Sequence, residues 1–332
     1  MIQKQRNQNL DLVKIISCMA VVGLHTFDFK LSILNAMLYY FCCFAIPLFF
    51  MSSGYILVNK NNYNLKYVSK KTLNIIKIVF FWTTLMYIVK ATYKTIIKKE
   101  PINLLDYLIE SFGSLFQKGT FFQFWYLGAM IIVYFLLLCF RKFDIVKYAL
   151  IVSLCIGMLL QILSIFGGFS IQKNVIQTFR IWSWVTYVSL GGYMPSLINK
   201  IKEKLKLKTH LLILVLLTMV SCGWQYFVGL NILDDRHAEY FYDDIIIITW
   251  SVLLFSFIMR VKLDKTRIIG FISPLIMGIY IIHPLVKKFI LHFIQINTPV
   301  FAIMFFMIVL VISIAISAII NRIPILNKFI KL

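Results

Sequence analysis

The sequence predicts an all-α fold, a polytopic membrane bundle of about ten transmembrane helices with both termini cytoplasmic. Three observations predict it. Of 332 residues, 61% are apolar and only 14% charged, and the mean hydropathy is +0.86. Apolar runs long enough to cross a hydrocarbon core of about 30 Å recur along the whole chain. With the N-terminus placed inside, 21 Lys and Arg residues fall on inner segments and nine on outer ones, the asymmetry that orients membrane proteins. The net charge of +21 therefore reads as topology, and no nucleic-acid partner is expected.

The spans are expected at residues 9–27, 35–58, 73–93, 121–140, 145–167, 178–198, 209–229, 244–260, 268–288 and 299–320. The first, NLDLVKIISCMAVVGLHTF, lacks a small-x-small cleavage site and is expected to be retained. It carries Lys14 and His25, eleven positions apart, which on an α-helix is three turns plus about 20°. Both side chains therefore share one stripe, with Cα atoms about 16 Å apart along the axis. A cation and an imidazole on one stripe of a membrane helix mark a functional site by default. Asp28 follows His25 at i+3, within reach to orient its ring, although an ordinary interfacial carboxylate is an equal reading.

In the second span, Pro47 is expected to kink the helix, and Ser52-Ser53-Gly54 to permit close helix contact. No G-x-S-x-G context makes either serine a nucleophile. Lys70 and Lys71 open the third span as snorkelling anchors, and Lys77 lies two turns deeper. Residues 94–120 form the longest outer segment, with an amphipathic stretch suited to the membrane surface. Trp125 and Tyr126 open the fourth span as an outer aromatic belt. Gly191-Gly192-Tyr193 reads as a packing notch, and the six cysteines as small apolar packing residues.

The acidic outer loop NILDDRHAEYFYDD holds Asp234, Asp235, His237, Glu239, Asp243 and Asp244. Its spacing matches no metal template, so it reads as a solvated loop, and no metal site is expected. The ninth span holds His283, followed by Pro284. Counted from the inner edge of their spans, His25 and His283 lie at matching depth near the outer leaflet, where both can line one cavity. His210 and His292, at helix edges, fit the blander reading of isolated interfacial histidines.

In order along the chain, LDLVKIISCMAVVGLH, IPLFFMSSGYIL, KKTLNIIKIVFFW, FWYLGAMIIVY, Gly-Gly-Tyr in the sixth span and MGIYIIHPLV resemble the membrane-bound acyltransferase-3 family. The resemblance implies a single membrane acyltransferase domain over residues 1–332, with no appended extracytoplasmic domain. The family signature of an Arg, ten residues and a His maps onto Lys14 and His25. The ammonium keeps the charge but not the bidentate geometry of a guanidinium. The family's paired arginines of the third helix map onto Lys71 and Asn74, with Lys77 one turn on to replace the lost cation. A histidine often preceding the Trp of the fourth helix is Gln123 here.

The resemblance implies transfer of an acyl group, most simply acetyl, from cytoplasmic acyl-CoA to a sugar hydroxyl of a cell-envelope or lipid-linked glycan. Acyl-CoA is then a donor substrate, and no permanently bound cofactor is expected. His25 acts as general base or acyl carrier, with His283 and Asp28 as its partners. Lys14, Lys71 and Lys77 meet the donor, and Trp125 and Tyr126 the acceptor. Two other classes stay open: a non-catalytic glycan or lipid transporter, and a polysaccharide polymerase.

Overall fold

The structure, a computed structural model, describes residues 7–99, 103–263 and 267–331. Lys4, Arg6 and Lys265, counted above among the basic residues expected inside, lie outside them, as do residues 100–102 of the long segment expected outside. Every regular element among the described residues is helical. Among the described residues, eight helices are long and apolar enough to cross a membrane, and the chain is a multi-pass membrane protein.

Helices lie at the positions where spans were expected, though eight rather than ten of them, among the described residues, have the length and apolarity of a span. They are α1 (Gln8–Thr26), α2 (Ile33–Phe41) continued by α3 (Ala45–Leu57), α4 (Leu65–Tyr93), then α5 (Leu104–Gly113) outside the spans. There follow α6 (Trp125–Lys142), α7 (Val146–Gly167), α8 (Ile181–Lys204), α9 (Leu207–Asn231) and α10 (Ile245–Arg260). The short α11 (Arg267–Ile272) leads into α12 (Ile276–Leu291), and α13 (Pro299–Arg322) completes the bundle. Two expected spans differ from the other eight. Helix α10 has only 16 residues, and α8 is not among the eight apolar ones. The reason lies in what α8 touches: Ser183, Thr186, Ser189, Gly191 and Gly192 are buried within protein, where lipid solubility is not required.

Helix α1 is interior. The Asn7 side chain caps it by accepting from the Leu10 N–H at 3.1 Å, and it packs against α2, α3, α10, α12 and α13. Of its most apolar window, 61% is buried, against 22% for α7 on the periphery. The break between α2 and α3 has a local cause. A 3-10 turn spans Cys42–Phe44 just before Pro47, whose ring excludes the carbonyl of residue 43 from normal helical geometry. A second 3-10 turn, Ser273–Leu275, forms where Pro274 interrupts the run from α11 to α12.

Glycines set the closest approach, between α3 and α8. A Cβ on Gly54 would lie 1.8 Å from the Val188 carbonyl oxygen, and one on Gly191 would lie 2.1 Å from that of Met51. The packing notch read from the sequence is thus a backbone-to-backbone contact. Beside it, Trp184 of α8 stacks on Phe50 of α3 with ring centroids 4.6 Å apart and planes 12° apart.

Candidate functional site

Two cavities open along α1, one near each end. The one at its N-terminal end has a volume of 520 Å³ and is lined by Asp11, Lys14, Ser53, Lys71, Tyr126 and Lys331, among others. The one at its C-terminal end has 230 Å³, and its walls include His25, Gln117, Trp125, Gln177, His237 and Glu239. Lys14 and His25, on one stripe of one helix, therefore line different cavities.

His25 and His283 come together. Their ring centroids are 5.2 Å apart with planes inclined by 33°, and Phe122 meets His25 edge-on at 5.5 Å. His283 is fully buried. Its Nδ1 lies 3.0 Å from the Ile279 carbonyl oxygen. A carbonyl only accepts, so Nδ1 carries the proton and Nε2 is the basic nitrogen. That Nε2 is buried with no hydrogen-bond partner among the described residues.

Between the cavities stands an aromatic row. The Tyr280 ring lies 6.2 Å from Tyr126 and 6.4 Å from His283, and its hydroxyl donates to the Gln123 carbonyl. Trp125 and Tyr126, expected together on the outer side, are divided: Trp125 lines the histidine chamber and Tyr126 the lysine cavity. The cause is helical, since adjacent residues point about 100° apart.

Two further expectations are corrected. Asp28 does not orient His25. It lies beyond the end of α1, exposed, and its carboxylate accepts from the Lys30 backbone N–H at 2.8 Å in a local turn. Lys77 is exposed, because α4 turns Ile75, Ile78, Val79 and Trp82 into the protein. The second cation near Lys71 and Lys14 is instead Lys331, from the turn after α13. Sequence reasoning missed it, because only tertiary packing brings that turn back to α4.

The loop expected to be solvated is a folded wall of the chamber. Tyr40 donates its hydroxyl proton to the Arg236 carbonyl at 3.0 Å, and the Ala238 N–H donates to the Tyr39 hydroxyl at 3.0 Å. Asp243 accepts from the Trp182 indole at 2.9 Å and the Ser183 hydroxyl at 2.6 Å. Asp235 pairs with His237 at 2.6 Å and Lys173 at 3.2 Å. Burial works against the ionised Asp235, but these bonds outweigh it and hold its pKa below the usual carboxylate value. Glu239 is gripped by Arg180, whose guanidinium lies 3.6 Å from its carboxylate and donates to its backbone carbonyl at 2.8 Å. The Gln177 amide also donates to that carboxylate. Burial nevertheless pushes the Glu239 pKa up. Among the described residues, no three potential ligands come together to hold a metal ion.

The fold and site define a multi-span helical membrane protein with paired interior histidines and a lysine-lined cavity. Its chemistry follows from sequence comparison. A family model described as an acyltransferase domain matches residues 7–322. The chain belongs to that acyltransferase family, the acyltransferase-3 group. It is also 24% identical over 308 residues to a protein of Enterococcus faecalis named an amino-acid racemase. The match covers 85% of this chain but 41% of that longer relative. No solved structure matches the chain.

Proposed function

We propose that the protein is an O-acyltransferase of the plasma membrane, moving an acetyl group from cytoplasmic acyl-CoA to a sugar hydroxyl of a cell-envelope or lipid-linked glycan. One observation carries the reading: a single interior helix presents Lys14 to a cationic cavity and His25 to a polar chamber. The basic cavity suits the phosphates of coenzyme A. Gln117, Gln177, Glu239 and His237 suit the hydroxyls of a sugar, with Trp125 as an apolar face beside them.

In this reading His25 accepts the proton of the acceptor hydroxyl as its oxygen attacks the thioester carbonyl. The C–S bond breaks, the thiolate takes up that proton, and an ester and free coenzyme A result. The carrier form of the same chemistry places the acyl group first on the imidazole nitrogen and then on the hydroxyl. In both, the His283 ring holds the His25 ring in place at the chamber floor. Racemisation, the activity in the name of the longer relative, is not proposed for a chain that spans 41% of it.

The test is incorporation of labelled acetyl into envelope glycan. Cells carrying the protein incorporate label, and His25→Ala at equal membrane level does not. Undiminished label in that variant removes His25 from the chemistry.

A further inference from the structure

Resting on the reading of the lysine cavity as the donor site, we infer that Lys331 is a donor-phosphate ligand, held there by the turn that follows α13. The turn is fastened by three contacts at two consecutive residues. Phe329 stacks on Phe81 of α4 with centroids 3.9 Å apart and planes 8° apart. Its backbone carbonyl accepts from the Trp82 indole N–H at 2.9 Å. Ile330 is fully buried, near enough to α12 that a Cβ on Gly278 would lie 3.5 Å from its side chain. These contacts leave the next residue, Lys331, little choice of place, and it lines the cavity with Lys14 and Lys71.

The arrangement answers a charge problem. Lys14, Lys71 and Lys331 gather around a cavity that also contains Asp11, so removal of any one lysine sharply cuts its positive excess. Three ammonium groups from α1, α4 and the turn suit a ligand with several phosphates spread over its length. A single phosphate would need fewer. Coenzyme A has that character, and so does an anionic lipid headgroup to a lesser degree. The turn also joins α4 to α12, so it is a clasp on the cavity as well as a ligand.

The experiment uses the full chain in phosphatidylcholine nanodiscs, with acetyl-CoA as donor and initial rates measured against donor concentration. Lys331→Gln is expected to raise KM for acetyl-CoA about tenfold, the loss of one charge-assisted contact, with kcat unchanged. Lys331→Arg keeps the wild-type KM. Phe329→Ala, which retains the charge but releases the turn, raises KM as Lys331→Gln does. An unchanged KM in Lys331→Gln overturns the assignment. Loss of acetyl-CoA saturation when phosphatidylglycerol replaces phosphatidylcholine also overturns it, since the lysines then serve a lipid headgroup. Failure of the unsubstituted protein to use acetyl-CoA is a separate result. It overturns the donor reading itself, with every lysine in place.

Discussion

The imidazole of His25, near the start of the chain, and that of His283, near its end, lie 5.2 Å apart between ring centroids. The bundle brings α1 and α12 side by side to achieve this. His283 has its Nδ1 committed to the Ile279 carbonyl, so its orientation is fixed by its own helix. His25 lines the chamber, whereas His283 is not among the residues of its wall. In the proposed reaction the pair divides into a reactive member, His25, and a positioning one, His283.

Substitution separates these roles. His25→Ala is expected to lower acetyl transfer by about 10²- to 10⁴-fold, the range for losing a general base. His283→Gln should lower it less, because the reactive ring survives with poorer aim. It should also shift the pH–rate profile, which a merely structural role would leave in place. Asp28→Asn should change transfer by less than about twofold, as its carboxylate serves a turn at Lys30. Labelled-acetyl assays across pH on membranes of equal protein content check all three.

The depth match of His25 and His283 was legible in the sequence because straight helices convert residue count into height. The stripe shared by Lys14 and His25 was legible for the same reason. The helix count was legible to the extent that span and hydropathy coincide. The two part at α8, a 24-residue helix at an expected span whose burial within protein releases its sequence from lipid solubility. What stayed hidden was set by tertiary contact. Lys331 reaches the cavity through the stacking of Phe329 on Phe81, and no periodicity encodes that. The acidic loop looked solvated by composition, yet Tyr39, Tyr40, Trp182 and Arg180 bind it into the chamber wall. Lys77 and Lys71 are six positions apart, about 600° of helical rotation, and that phase decides which one faces inward.

Two of the lysines of α4, Lys71 and Lys77, give a direct contrast. Lys71→Gln should raise KM for acetyl-CoA by about tenfold through loss of a charged contact, whereas Lys77→Gln should leave it within about twofold. Donor-saturation curves in nanodiscs measure both. A larger effect at Lys77 would mean that the exposed face of α4, not the cavity, meets the donor.

The acidic loop should report pH through Asp235. Its folded pKa is held below the usual carboxylate value by His237 and Lys173, against the effect of burial. A lowered folded pKa stabilises the protein above the unfolded value of about 3.9, and that contribution fades as pH falls through the folded value. Wild type should therefore unfold at a higher temperature than Asp235→Asn at pH 5.5, and the gap should close below about pH 4. Thermal unfolding at a series of pH values measures the gap. A gap that is constant across pH 3–5.5 would show that ionisation of Asp235 does not contribute.

The meeting of α3 and α8 should be the point least tolerant of added volume. At Gly54 and Gly191, an added methyl would meet backbone carbonyls at 1.8 Å and 2.1 Å, and a carbonyl held in a helix cannot swing aside as a side chain does. Overpacking against movable side chains costs about 1–3 kcal/mol, so Gly54→Ala and Gly191→Ala should each cost at least about 3 kcal/mol. Gly223 offers the control, since a Cβ there meets nothing within 4 Å. Gly223→Ala should be neutral or slightly stabilising, as alanine suits a helix interior better by about 1 kcal/mol. Unfolding midpoints in detergent should rank the three variants in that order. Equal midpoints for Gly54→Ala and Gly223→Ala would mean that α3 and α8 are not in backbone contact.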